Sequence, residues 1–150
     1  MDKYEEIAEG IFVNKIRISW LEISKMYNEM AVTIGGTMSM AFVLLTINER
    51  YGTPVTKIAP RMGMEPNSLS RILKSLESKG AIYKRKDQDD KRKVYICLSE
   101  YGMELREIAF KRLFDFEKLI HNRIPENKIK IFFEVMNQMP SIVNEFREKR

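Results

Sequence analysis

Two short apolar-striped segments, each closed by glycine and followed at once by a charged hairpin, leave this chain few folds to adopt. Thr53-Pro54 opens the first segment, with Thr as an N-cap and Pro preorganised for the first helical position. It runs to about Met62 and stops at Gly63, with Pro60 inside it removing one backbone donor. Glu65-Pro66 starts the second, which continues through Lys79 to the stop at Gly80. Its inward stripe is Leu69, Ile72, Leu73 and Leu76, leaving Asn67, Ser68, Ser70, Arg71, Lys74 and Ser75 on the outer face. Two strands follow, 81–85 and 94–98, the second alternating with Val94, Ile96 and Leu98 on one side. Between them lies the run from Lys86 to Lys93. Two short helices, a Gly-containing turn and a two-stranded hairpin predict a winged helix-turn-helix, its second helix the right length for a major groove.

The flanks are helical. From Asp2 to Met30, apolar residues at Tyr4, Ile7, Ile11, Ile16, Trp20, Ile23, Tyr27 and Met30 predict one long helix. Met30 to Asn48 carries no charge, about the length of a membrane span. Gly35-Gly36 and the surrounding hydroxyls are turn chemistry, so the segment reads as a helix end, a turn, and a core helix from Thr37 to about Arg50 ended by Gly52. Ser99 caps a helix to about Arg123, and the last begins near Pro125. There Ile129, Phe132, Met136, Met139, Val143 and Phe146 form a short heptad seam, which Pro140 should bend. The expected class is mainly α (α+β). Residues 1–36 and 100–150 would form dimerisation helices around a lobe at 37–99. Too much apolar helix surface lies at both ends for one small core, and a homodimer built on Ile7, Ile11, Ile129, Phe132, Met136, Val143 and Phe146 would cover it.

The net charge of +5 is unevenly placed. Val55 to Lys93 holds eleven basic and five acidic residues, a local +6, and the remainder sums to −1. Such asymmetry marks a polyanion-binding module between near-neutral flanks. One cysteine and one histidine, Cys97 and His121, exclude an internal disulfide and a four-ligand zinc site. With no paired nucleophile and base and no Gly-rich phosphate loop, neither an enzyme nor a cofactor is expected. The acidic, polar start is unlike a signal peptide, so a cytoplasmic protein is expected.

Several residues carry a more specific likeness. Leu69-Ser70-Arg71, then Leu76 through Ile82, and the wing run Asp87-Gln88-Asp89-Asp90-Lys91-Arg92 closed by Leu98-Ser99 resemble the MarR family of bacterial transcriptional regulators. The resemblance spans essentially the whole chain, as six helices with one wing. The family's wing pattern is Asp-x-Arg-Asp-x-Arg, and Asp89 stands where its first Arg belongs. Arg92 keeps the wing-tip position, with Lys91 and Lys93 beside it.

The resemblance implies a homodimer on a roughly palindromic operator in double-stranded DNA, with recognition helices ~34 Å apart, usually a repressor released by a small ligand or oxidant. Base-edge contacts then fall to Asn67, Ser68, Ser70 and Arg71, phosphate contacts to Lys74 and Lys57, and the minor groove to Arg92, with Asp90 orienting a neighbouring Arg. Ten methionines point to an aromatic or acyl effector site near Trp20, Tyr27, Met30 and Met64. Cys97 alternates to the outer side of its strand, beside Lys84 and Arg85, with a structural role expected rather than a redox one. The rival function is a winged helix used for protein docking or for nonspecific architectural DNA binding.

Overall fold

In the computed structural model, which describes residues 2–149, the chain divides into a compact unit ending at Phe110 and a second beginning at Lys111. The elements are α1 (Lys3–Ile7), α2 (Phe12–Val32), α3 (Met38–Thr46), β1 (Thr53–Pro54), α4 (Val55–Met62), α5 (Pro66–Ser78), β2 (Ile82–Lys86), β3 (Val94–Leu98), α6 (Glu100–Arg123) and α7 (Glu126–Glu148). The strands form one antiparallel sheet in the order β1-β3-β2. The core of the first unit joins Val43, Leu44 and Ile47 from α3 and its end to Ile58 of α4, Leu69, Leu73 and Leu76 of α5, and Ile82 and Ile96 of the sheet. Among the described residues no helix is long and apolar enough to cross a membrane.

Several expectations need correction. The single N-terminal helix is broken: a short 3-10 turn at Ala8–Gly10 and an extended Ile11 separate α1 from α2. Asn14 holds the break by donating from Nδ2 to the Ala8 carbonyl at 2.9 Å. The core helix starts as expected, with the Thr37 hydroxyl accepting from the Met40 amide, but it ends at Thr46, before Arg50. Asn48 stops it, because its Oδ1 accepts from the amides of Arg50 and Tyr51 and offers the backbone an alternative to the helix.

Thr53-Pro54 is a third strand rather than the start of α4. Thr53 pairs with Ile96 and Pro54 with Tyr95, and the buried Thr53 hydroxyl accepts from the Asn48 amide at 2.9 Å. A strand of two residues has no periodicity to read. The turn before it also corrects the placement of Cys97. This residue does point to the face opposite Ile96, yet it is buried, because the main chain at Gly52 lies across it. A Cβ at Gly52 would sit 2.7 Å from the Cys97 sulfur, and the positive φ of 73° there also calls for glycine.

Candidate nucleic-acid interface

Alternation of apolar and polar residues sets the surface of α5. Leu69, Leu73 and Leu76 are buried and Ile72 is half-buried, so Asn67, Ser68, Ser70, Arg71 and Lys74 are left exposed on the other side. Ser75, read as outward from its spacing, is half-buried. The Ser70 hydroxyl donates to the Pro66 carbonyl at 3.0 Å, so its proton is taken while its lone pairs stay open to a donor. Gly63 ends α4 in the left-handed region, its amide and that of Met64 closing on the Pro60 and Ala59 carbonyls. Pro66 then begins α5 at the first helical position. Lys57 is exposed on α4.

The far end of α5 is fastened from two sides. Lys79 donates from Nζ to the carbonyl of Gly35 in the α2–α3 turn. The Ser99 hydroxyl donates to the Gly80 carbonyl at 2.5 Å and accepts from the Gly102 amide at 3.0 Å, so one side chain joins the end of α5 to the start of α6. The sequence marked Ser99 only as a cap. Its second contact spans 19 residues and has no local signature.

Backbone bonds from Asp87 to the Lys93 carbonyl and from Lys93 to the Asp90 carbonyl, each 2.9 Å, close the wing. The Asp87 carboxylate accepts from the Asp90 amide at 3.2 Å. Asp90 Oδ1 in turn accepts from the Arg92 amide and from its Nε, at 3.1 and 3.3 Å. Arg92 is thus oriented by Asp90 while 94% of its side chain stays exposed. Lys91, Lys93 and Asp89 are also exposed. A hydrogen bond to Tyr95, helped by the charges of Asp87 and Asp90, raises the pKa of Lys93 above the ordinary lysine value.

The four residues expected around an effector are scattered in burial. Trp20 is half exposed, Met30 and Met64 are half-buried, and Tyr27 meets Phe42 edge-on at 6.0 Å. A cleft does lie nearby, lined by Ala31, Ile34, Met40, Leu44, Leu76, Lys79, Tyr101 and Leu105 among others, but by none of those four. Its volume is about 30 Å³, room for a water or two. Of the residues expected at a dimer interface, Ile7, Phe132, Val143 and Phe146 are exposed and Ile11 and Met136 half-buried. Ile129 is already buried within the single chain.

A helix, a turn, a second helix with a polar outer face and a β-hairpin whose arginine points into solvent define a winged helix-turn-helix protein. Comparison with known proteins agrees: residues 37–94 match the model of the MarR family, and the chain belongs to that family. The transcriptional regulator SarZ of Staphylococcus epidermidis is 26% identical over 91 residues, which are 61% of this chain and 62% of that protein. The chain therefore matches under two thirds of that relative's length. Among solved structures, the Staphylococcus aureus MepR–DNA complex superposes with a TM-score of 0.78 at 22% identity, covering 87% of this chain and 97% of the other. CouR from Rhodococcus jostii bound to p-coumaroyl-CoA gives 0.76 at 18% identity, covering 88% and 93%. At these identities the two structures speak for the fold.

Proposed function

We propose that this chain is a sequence-specific DNA-binding transcriptional regulator, a homodimer that represses from a near-palindromic operator until a small effector binds. The outer face of α5 carries the reading. A purely architectural binder needs only positive charge. Here three neutral hydrogen-bonding residues, Asn67, Ser68 and Ser70, stand exposed among Arg71 and Lys74. In this reading Asn67, Ser68, Ser70 and Arg71 meet base edges, with Ser70 acting as an acceptor because its proton is already donated to Pro66. Lys57 and Lys74 hold phosphates. Arg92, flanked by Lys91 and Lys93, enters the minor groove, whose negative potential favours arginine.

The exposed Ile7, Phe132, Val143 and Phe146 support pairing of two chains through residues 1–36 and 100–150, around a DNA-binding lobe at 37–99. The effector is a small aromatic or acyl compound near Trp20, Tyr27, Met30 and Met64. CouR, which shares the fold, is bound to p-coumaroyl-CoA. The cleft beside these residues would have to widen to admit a ring, since an apolar cavity of ~150 Å³ is what holds benzene.

The test is a binding titration on a duplex selected by this protein from a random pool, beside a scrambled duplex of equal length. Strong preference for the selected duplex, with sedimentation at twice the chain mass, is expected. Equal affinity for both duplexes would overturn the sequence-specific reading.

A further inference from the structure

We propose that Arg85, with Lys93 beside it, is a rigid phosphate contact at the base of the wing, a part of the DNA-binding surface separate from α5 and from the wing tip. The inference rests on the DNA-binding reading above. Arg85 stands opposite Tyr95 in the register of β2 and β3, so the two side chains share one face of the sheet. That face is opposite the one on which Ile82 and Ile96 enter the core. The Arg85 guanidinium carbon lies 4.7 Å from the centre of the Tyr95 ring, and the Lys93 ammonium lies 5.4 Å from the same centre. Arg85 also donates from Nη2 to the Tyr51 carbonyl at 3.0 Å. A long side chain is thereby held at two points.

Both points are electrically neutral, and this sets Arg85 apart. Arg92 is paired with Asp90, and Arg106 with Glu49. Among the described residues, no carboxylate forms an ion pair with Arg85. The carboxylate two residues on, Asp87, accepts from the Asp90 amide within the loop. Stacking on a ring orients a guanidinium without cancelling its charge. The result is an exposed, positioned fork with N–H groups to spare, the geometry that suits two oxygens of one phosphate.

Its height on the wing fits the same partner. Arg85 lies two residues before Asp87, where the hairpin loop begins, or ~7 Å back along the strand. The minor groove is ~7.5 Å deep. With the loop and Arg92 seated in that groove, Arg85 and Lys93 come level with the phosphate ridges at its rim.

The experiment measures affinity against salt concentration for the parent chain, Arg85→Ala and Arg85→Lys, on the selected and scrambled duplexes, with thermal unfolding of each variant alongside. Arg85→Ala should reduce the slope of log affinity against log salt by about 0.9, the value of one phosphate contact. It should weaken both duplexes by the same factor and leave the preference between them unchanged. Arg85→Lys, which keeps the charge, should restore the slope. An unchanged slope in Arg85→Ala overturns the inference, whether or not the midpoint of unfolding falls, because Arg85 would then only brace the Tyr51 turn. A loss confined to the selected duplex also overturns it, since that would be base reading. If the parent chain shows no preference between duplexes, the sequence-specific reading fails, while the slopes still decide the part of Arg85.

Discussion

Arg106 on α6 donates from Nε to the Leu44 carbonyl at 3.1 Å, near the C-terminal end of α3. Its Nη2 reaches the Leu45 carbonyl at 3.4 Å, and its Nη1 pairs with Glu49. Carbonyls in the last turn of a helix lack intrahelical partners and carry the negative end of its dipole, so a guanidinium there satisfies both needs. The side chain is 19% exposed, against 52% for Glu49.

That difference in exposure separates two variants. Arg106→Ala leaves half-buried carbonyls without their donor and should cost ~1–3 kcal/mol. Glu49→Gln removes only the exposed half of an ion pair and should cost under ~1 kcal/mol. Urea unfolding of both variants checks the order, and equal losses would show that the ion pair, rather than the helix end, is what Arg106 serves.

Gly102 packs directly on the Ala81 main chain, so a Cβ there would collide with the Ala81 carbonyl. The same carbonyl accepts from the Ser99 amide at 3.0 Å and cannot easily retreat. Gly102→Ala should therefore destabilise the fold by ~1–3 kcal/mol through overpacking. It should also weaken DNA binding, because the end of α5 is fastened at this point. A variant with parent stability in thermal unfolding would refute the contact.

At the wing tip, Arg92→Ala should weaken binding to the selected duplex by ~1–3 kcal/mol. Asp90→Ala should weaken it by less, since the arginine survives and loses only its orientation. Titration of both variants at one salt concentration makes the comparison. A larger loss for Asp90→Ala would mean that the loop conformation matters more than the arginine.

Peroxide treatment should leave DNA affinity unchanged. Cys97 is buried beneath the turn at Gly52, and oxidation follows access and thiolate character. A peroxide-dependent loss of affinity that disappears in Cys97→Ser would contradict this.

Much of the fold was legible because helix and strand periods are local. The stripe Leu69, Leu73, Leu76 predicted both the buried face of α5 and its exposed Asn67, Ser68, Ser70 and Arg71, and the burial agrees residue by residue. The caps at Thr37 and Ser99 were equally local, each a hydroxyl accepting from an amide three residues on. Where local rules competed, the outcome was not legible. Asn48 could continue a helix or fold back on its own backbone, and it does the second. Thr53-Pro54 has the chemistry of a helix start, but it pairs with β3 because Ile96 and Tyr95 are there to receive it.

By itself, then, the sequence determined two short helices, a charged hairpin and a polar outer face on the second helix, since each is written in spacings of two to four residues. Only the tertiary structure decided which separated groups meet. It brought Arg106 to Leu44 across 62 positions, Arg85 to Tyr51 across 34, and the Gly52 turn over Cys97. Such contacts form because buried or stacked polar groups must find partners wherever packing delivers them, and no short-range pattern records where that will be.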